Sequence, residues 1–220
     1  MPHGVPSVSR REQDMYARST TMTVDGELEA GVAMVRDEVW PAVQAMDGCM
    51  GFSLMVDRDG GRMIATSSWA SEEAMWGSEA AVTGLRERVQ AVTGGAAPKV
   101  EEWEIAAMHR DHHTAEGTCV RATWTRVAPD LVPDAIEYYK FLLLPQVQQL
   151  EGFCSASLLV NRAIGLGVSS VAFDSRAAME ATRDEGAAVR EASRREAGVE
   201  ILEVAEFDLA LAHLHVPELV

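Results

Sequence analysis

The chain has 220 residues, 47% hydrophobic and 24% charged, with a formal net charge of −15 at pH 7. That is the balance of a folded protein, and the acidic excess, with no Lys/Arg cluster to offset it, excludes nucleic acid and anionic membrane surfaces as partners. No apolar run nears the roughly 20 residues of a bilayer span, and Met1-Pro2-His3-Gly4 carries no leader pattern, so a cytoplasmic protein is expected.

In chain order, a first strand is predicted at about 14–23. Leu28, Val32, Val35, Val39, Val43 and Met46 then recur at helical spacing and give one apolar stripe over several turns. Pro41 falls inside that stripe, where a ring without an N–H bends or breaks the helix, and Gly48 suits its C-cap. From Met50 to Val56 apolar and polar residues alternate with period two, the pattern of a strand. Asp57-Arg58-Asp59-Gly60-Gly61 supplies a hairpin turn into a strand at about 62–69. Ser71 is placed to cap a second helix, whose first turn carries Glu72 and Glu73 and which ends near Thr93-Gly94-Gly95. A last strand at about 99–108 turns Trp103 and Ile105 to one face and Glu102 and Glu104 to the other. The order is β-α-β-β-α-β, a ferredoxin-like module.

The remainder repeats it. An offset of 104 sets Pro41 on Pro145, Gly48 on Gly152, Leu54 on Leu158, Arg58 on Arg162, Gly61 on Gly165, Ser71 on Ser175 and Met75 on Met179. The register continues through Arg86-Glu87 on Arg190-Glu191, Glu102 on Glu206 and His109 on His213. Strands are expected near 117–126, 153–161, 165–173 and 199–212, and helices near 131–150 and 174–196. The division expected is a tail at 1–12, a first module at 13–109, a linker at 110–116 and a second module at 117–215. A four-stranded antiparallel sheet with helices on one face leaves its other face bare, and the second copy supplies the cover. The fold class is therefore α+β, two tandem ferredoxin-like modules whose antiparallel sheets close into an intramolecular pseudo-dimeric α+β barrel. Further association into a homodimer is allowed but not demanded.

Val39-Trp40-Pro41, Met46-Asp47-Gly48, the hairpin that follows, and the run Trp69 to Met75 resemble the antibiotic biosynthesis monooxygenase (ABM) family of the dimeric α+β barrel superfamily. The resemblance fits each half. It implies a small pocket between sheet and helices and, in some members, oxygenation of aromatic polyketides without metal or flavin. Other members degrade haem, using an Asn on the first strand and a His on the second helix. Neither half has that Asn, and no His lies between Ser71 and Thr93 or between Asp174 and Glu196, which argues against haem.

The ligand-contact candidates are Trp69 and Trp76, which bracket the start of the second helix, with Phe52 and Tyr16 nearby; core packing is the competing role. Arg18 on the first strand would polarise a carbonyl or hold a phenolate, or else form an exposed salt bridge. In the second half Phe173 replaces Trp69 and Glu180 replaces Trp76, so the two pockets differ, and one is open to decay into a structural copy. His109, Asp111, His112 and His113 sit in the linker without a matched Cys, and no metal is expected. The three cysteines Cys49, Cys119 and Cys154 read as buried thiols. No catalytic residue and no cofactor is assigned. The expected function is binding of a small apolar or aromatic molecule in that pocket, with cofactor-independent monooxygenation as the activity it would allow; the alternative is a non-catalytic ligand-binding or assembly barrel.

Overall fold

The computed structural model describes residues 14–220, so the predicted tail at 1–12 lies outside it. The first half runs β1 (Tyr16–Thr23), α1 (Leu28–Met34), a π-helical turn (Val35–Val39), α2 (Trp40–Gln44), β2 (Cys49–Asp57), β3 (Arg62–Trp69), α3 (Glu72–Gly77), α4 (Glu79–Thr93) and β4 (Lys99–Arg110). The second runs β5 (Cys119–Arg126), a short 3-10 turn (Pro129–Leu131), α5 (Val132–Tyr138), a π-helical turn (Tyr139–Leu143), α6 (Leu144–Val147), β6 (Phe153–Asn161), β7 (Leu166–Phe173), α7 (Arg176–Ala181), α8 (Arg183–Glu196) and β8 (Glu200–Leu214).

The eight strands form one closed antiparallel barrel in the order β1-β3-β2-β8-β5-β7-β6-β4. Each half contributes four neighbouring strands, and the seams are β2 on β8 and β4 on β6. Equivalent ion pairs lock the two seams, Arg58 to Asp208 and Arg162 to Glu104, each residue standing 104 from its counterpart. Closure removes every edge strand, which a single half would leave exposed. The barrel interior is packed by Trp103, Ile105, Val168, Met55, Ile64 and Phe207. The helices cover the outside of each half-sheet, and the other face of the strands packs against them through Leu54, Val56 and Met63 in the first half and Leu158 and Val160 in the second.

The prolines neither break nor sharply stop the first helix of either half. Pro41 offers no N–H and its ring crowds the carbonyl four residues back, and the preceding turn widens to π geometry, with the Trp40 N–H donating to the Val35 carbonyl. Pro145 does the same through Leu144 and Tyr139. The second helix of each half, expected as one piece, is instead divided. Ser71 and Ser175 cap the first segments by accepting from Ala74 and Ala178, and the chain then steps at Ser78 and Thr182 before continuing. Gly61 and Gly165, both with positive φ, bring each hairpin against the loop after the first strand, where the Val24 and Val127 N–H groups donate to their carbonyls at 2.7 and 2.9 Å. A β-carbon on either would strike the facing Val24 or Val127 carbonyl oxygen.

Candidate ligand cavity

A buried arginine occupies the same place in each half, on the helix-facing side of its first strand. Arg18 is 2% exposed and Arg121 is 4% exposed. Arg18 stands opposite Glu102 across the β1–β4 pair and donates to it from Nε at 3.2 Å and from Nη2 at 2.8 Å. Its Nη1 donates to the Ser78 hydroxyl at 2.9 Å and lies 3.1 Å from Glu79. Arg121 stands opposite Glu206 and donates to it at 3.1 and 3.0 Å, with Nη2 also reaching the Met179 carbonyl at 2.5 Å. The step between the two helical segments frees that carbonyl. The ion pair expected for Arg18 is thus present, but buried rather than exposed. Arg121 is not visible from the repeat alone, because the offset of 104 sets Ala122 on Arg18. The loop from first strand to first helix is one residue longer in the second half, so the first strands align at 103, and only the pairing with a Glu on the last strand reveals it.

Each arginine floors a cavity between sheet and helices, and the two cavities differ in size. The first is about 40 Å³ and is lined by Arg18, Met22, Val35, Phe52, Met63 and Val82 among others. The second is about 110 Å³ and is lined at the matching positions by Arg121, Thr125, Tyr139, Gly167 and Gly186, with Ile136, Leu158 and Arg190. Three exchanges open it. Met22 becomes Thr125, Met63 becomes Gly167 and Val82 becomes Gly186, each removing carbon from the space that the first half fills. Met63 seats its sulfur over Gly31, where a β-carbon would come within 3.3 Å of it; the second half carries Ala135 there, and Ala135 and Gly167 both line its cavity.

The second cavity is mostly apolar. Its polar groups include the Tyr139 hydroxyl, which donates to the Ser157 carbonyl at 3.2 Å and accepts from Ser169 at 3.4 Å, the hydroxyls of Thr123, Thr125, Tyr138 and Ser193, and the two arginines. Burial pushes the Tyr139 phenol up to about 12. No carboxylate or imidazole is among the residues that line it.

The five residues singled out from the sequence do not converge on one cavity. Phe52 and Arg18 line the smaller one. Trp69 is 0% exposed in the first-half core, its indole N–H donating to Ser67 at 3.0 Å, and Tyr16 pairs with it across β1 and β3, half-buried. Trp76 is 53% exposed and donates to Glu102 at 3.2 Å from the outside. The wider of these two cavities lies in the half without these tryptophans, where Tyr138, Tyr139 and Phe173 line it together with Gly167 and Gly186.

Beyond β4, His112 leaves the chain between two carboxylates, Nδ1 at 2.9 Å from Asp111 and Nε2 at 2.6 Å from Asp174. These bonds, Asp111 first, raise the imidazole above its ordinary 6.5. The Cys154 sulfur lies within 4.8 Å of the His112 and Asp174 donor atoms. With both ring nitrogens held by carboxylates, the arrangement is that of a protonated histidine latching the connector to the start of α7.

A single chain that closes two ferredoxin-like sheets into one barrel, with a cavity under the helices of each half, is an intramolecular dimeric α+β barrel. Residues 15–82 match the family described as Antibiotic biosynthesis monooxygenase. An uncharacterised protein of Mycobacterium tuberculosis, Rv2557, is 56% identical over 217 residues, 98% of this chain and 96% of its own length. Among solved structures, a putative monooxygenase from Fusobacterium nucleatum superposes with a TM-score of 0.70 at 11% identity, covering 92% of this chain and 95% of that one. An anthrone oxidase-like protein gives 0.67 at 16% identity and 96% coverage of both chains. At such identities these structures bear on the fold alone. The first half carries an antibiotic biosynthesis monooxygenase domain, and the whole chain belongs with the mycobacterial protein Rv2557.

Proposed function

We propose that this protein binds one small, largely apolar molecule in the cavity of its second half, and that the first half is a filled structural copy. The observation that carries this is the exchange of Met63 and Val82 for Gly167 and Gly186, which leaves about 110 Å³ where the first half keeps about 40 Å³. An engineered apolar cavity of about 150 Å³ takes benzene, so at about 110 Å³ a single ring is the upper scale of ligand that fits. Oxygenation without a cofactor requires a substrate carbanion. No lining group is a base suited to forming one, since a phenol raised to about 12 gives up and accepts protons poorly at neutral pH. The reading is therefore binding first, with oxygenation confined to substrates that ionise in water and arrive as anions.

Methyl-detected NMR of the intact protein during titration with toluene tests it. Saturable shifts are expected at Ile136, Val147, Leu158 and Ile201 and not at Val35, Val39 or Leu54. Shifts confined to the first half would reverse the assignment of the two cavities, and no shift in either would leave a non-catalytic barrel filled by its own side chains. Oxygen uptake with hydroquinone, a single ring that ionises in water, followed with pH, then decides catalysis: uptake above the protein-free rate must rise as the substrate ionises.

A further inference from the structure

The charges around the two cavities do not match. In the first half the guanidinium of Arg18 faces two carboxylates, Glu102 at 2.8 Å and Glu79 at 3.1 Å, and Arg86 adds a further bond to Glu79 at 2.6 Å. Two cations meet two anions. In the second half the position of Glu79 is held by Arg183. Arg121 and Arg183 then share the single carboxylate of Glu206, at 3.0 and 3.1 Å. Arg190, the counterpart of Arg86, has neither a hydrogen bond nor an ion pair among the described residues, although it is half-buried and lines the cavity.

Gly186 sets where the surplus charge points. The Nη1 atoms of Arg121 and Arg190 lie 3.1 and 3.3 Å from the point where a β-carbon would sit on that residue. Two guanidinium nitrogens thus flank the same small volume at one side of a mostly apolar cavity, where the first half carries the side chain of Val82. Burial, and after it the nearness of Arg121, holds the Arg190 guanidinium below its ordinary range, against the weaker opposing pull of Glu206. Unpaired charge next to apolar walls is costly and is relieved by an anion. Arginine is the cation suited to a planar carboxylate, through paired N–H donors.

We propose that the ligand of the second-half cavity is an organic monoanion, a small apolar body ending in a carboxylate whose oxygens accept from Arg190 and Arg121. This rests on the reading that the cavity is the binding site. It narrows the ligand class from apolar molecules to hydrophobic acids, and gives the cavity an orientation, with the head at Gly186 and the body toward Ile136 and Leu158.

The test compares benzoate with benzamide, equal in size and differing in charge, by methyl NMR and calorimetry on the intact protein and on Arg190→Gln and Arg190→Lys. Arg190 holds no structural bond, so neither substitution should disturb folding. A charge-assisted hydrogen bond predicts that benzoate saturates the Ile136 and Ile201 shifts at a concentration about ten-fold lower than benzamide. Arg190→Gln should bring the two within about two-fold, and Arg190→Lys should restore most of the gap. If benzamide binds as well as benzoate, or the preference survives Arg190→Gln, the anion proposal falls and the cavity reading stands. Binding of toluene but of neither carboxyl derivative overturns the anion proposal in the same way. No response to any of the three sinks both.

Discussion

If Met63 is what closes the first cavity, removing it should turn that cavity into a copy of the second. Met63 is 2% exposed, lines the first cavity and packs over Gly31. Met63→Ala loses about 2 kcal/mol of transfer free energy and adds roughly 60 Å³ of void, which at about 24 cal/mol per Å³ costs about 1.5 kcal/mol more. The expected destabilisation is about 3.5 kcal/mol, or a fall in Tm of about 10 °C for a chain of this size. Urea and thermal unfolding measure the loss. Toluene titration measures the gain, since the enlarged first cavity should now bind it and recover part of the stability. A loss below about 1 kcal/mol would mean that the space was already loose. The full loss with no toluene binding would mean that the helix collapses onto the sheet, and either result would refute the view that Met63 is a principal filler of the first cavity.

Removing the buried cation, Arg18→Met, is expected to cost about 3 kcal/mol, because Glu102 and the Ser78 hydroxyl lose a buried partner while Glu79 keeps Arg86; a loss under about 0.5 kcal/mol in urea unfolding would show that the pair is not structural. His112 should titrate above 6.5 by NMR, and Asp174→Asn should lower it. Because its folded value is raised, the latch contributes fully below pH 6.5 and is lost as pH rises through the folded value, so His112→Ala should matter at pH 5.5 and much less at pH 8.5; an equal effect at both would exclude a charged latch. Equimolar zinc should leave Tm unchanged, and a rise abolished by Cys154→Ser would instead make His112, Cys154 and Asp174 a metal site.

Much of the architecture is set by short-range pattern. Apolar residues at helical spacing, alternation in the strands, the Ser71 and Ser175 caps and the positive-φ glycines act within one turn or one hairpin, and their recurrence at a fixed offset makes the duplication plain in the sequence. An uncovered sheet face requires a partner, so the barrel follows from the repeat. The cavities do not follow in the same way. Whether a pocket is open depends on which side chains meet across sheet and helix, and the residues that decide it, Met63 over Gly31 in one half and Gly167 with Ala135 in the lining of the other, lie far apart in the chain. The tryptophans stand out in the sequence because large aromatic residues line many pockets, yet the same bulk fills a core, and burial alone separates the two roles: Trp69 is inside and Trp76 outside. Arg121 is hidden by a single extra residue in the loop after β5, which a constant offset cannot absorb but the cross-strand register of Arg121 on Glu206 makes evident. The sequence by itself determined the repeat, the order of elements and the closing of two sheets on each other, because those rest on local spacing. Only the tertiary structure decided which half keeps an open cavity and leaves two guanidinium groups lining it, because void space and unpaired charge are properties of what surrounds a residue.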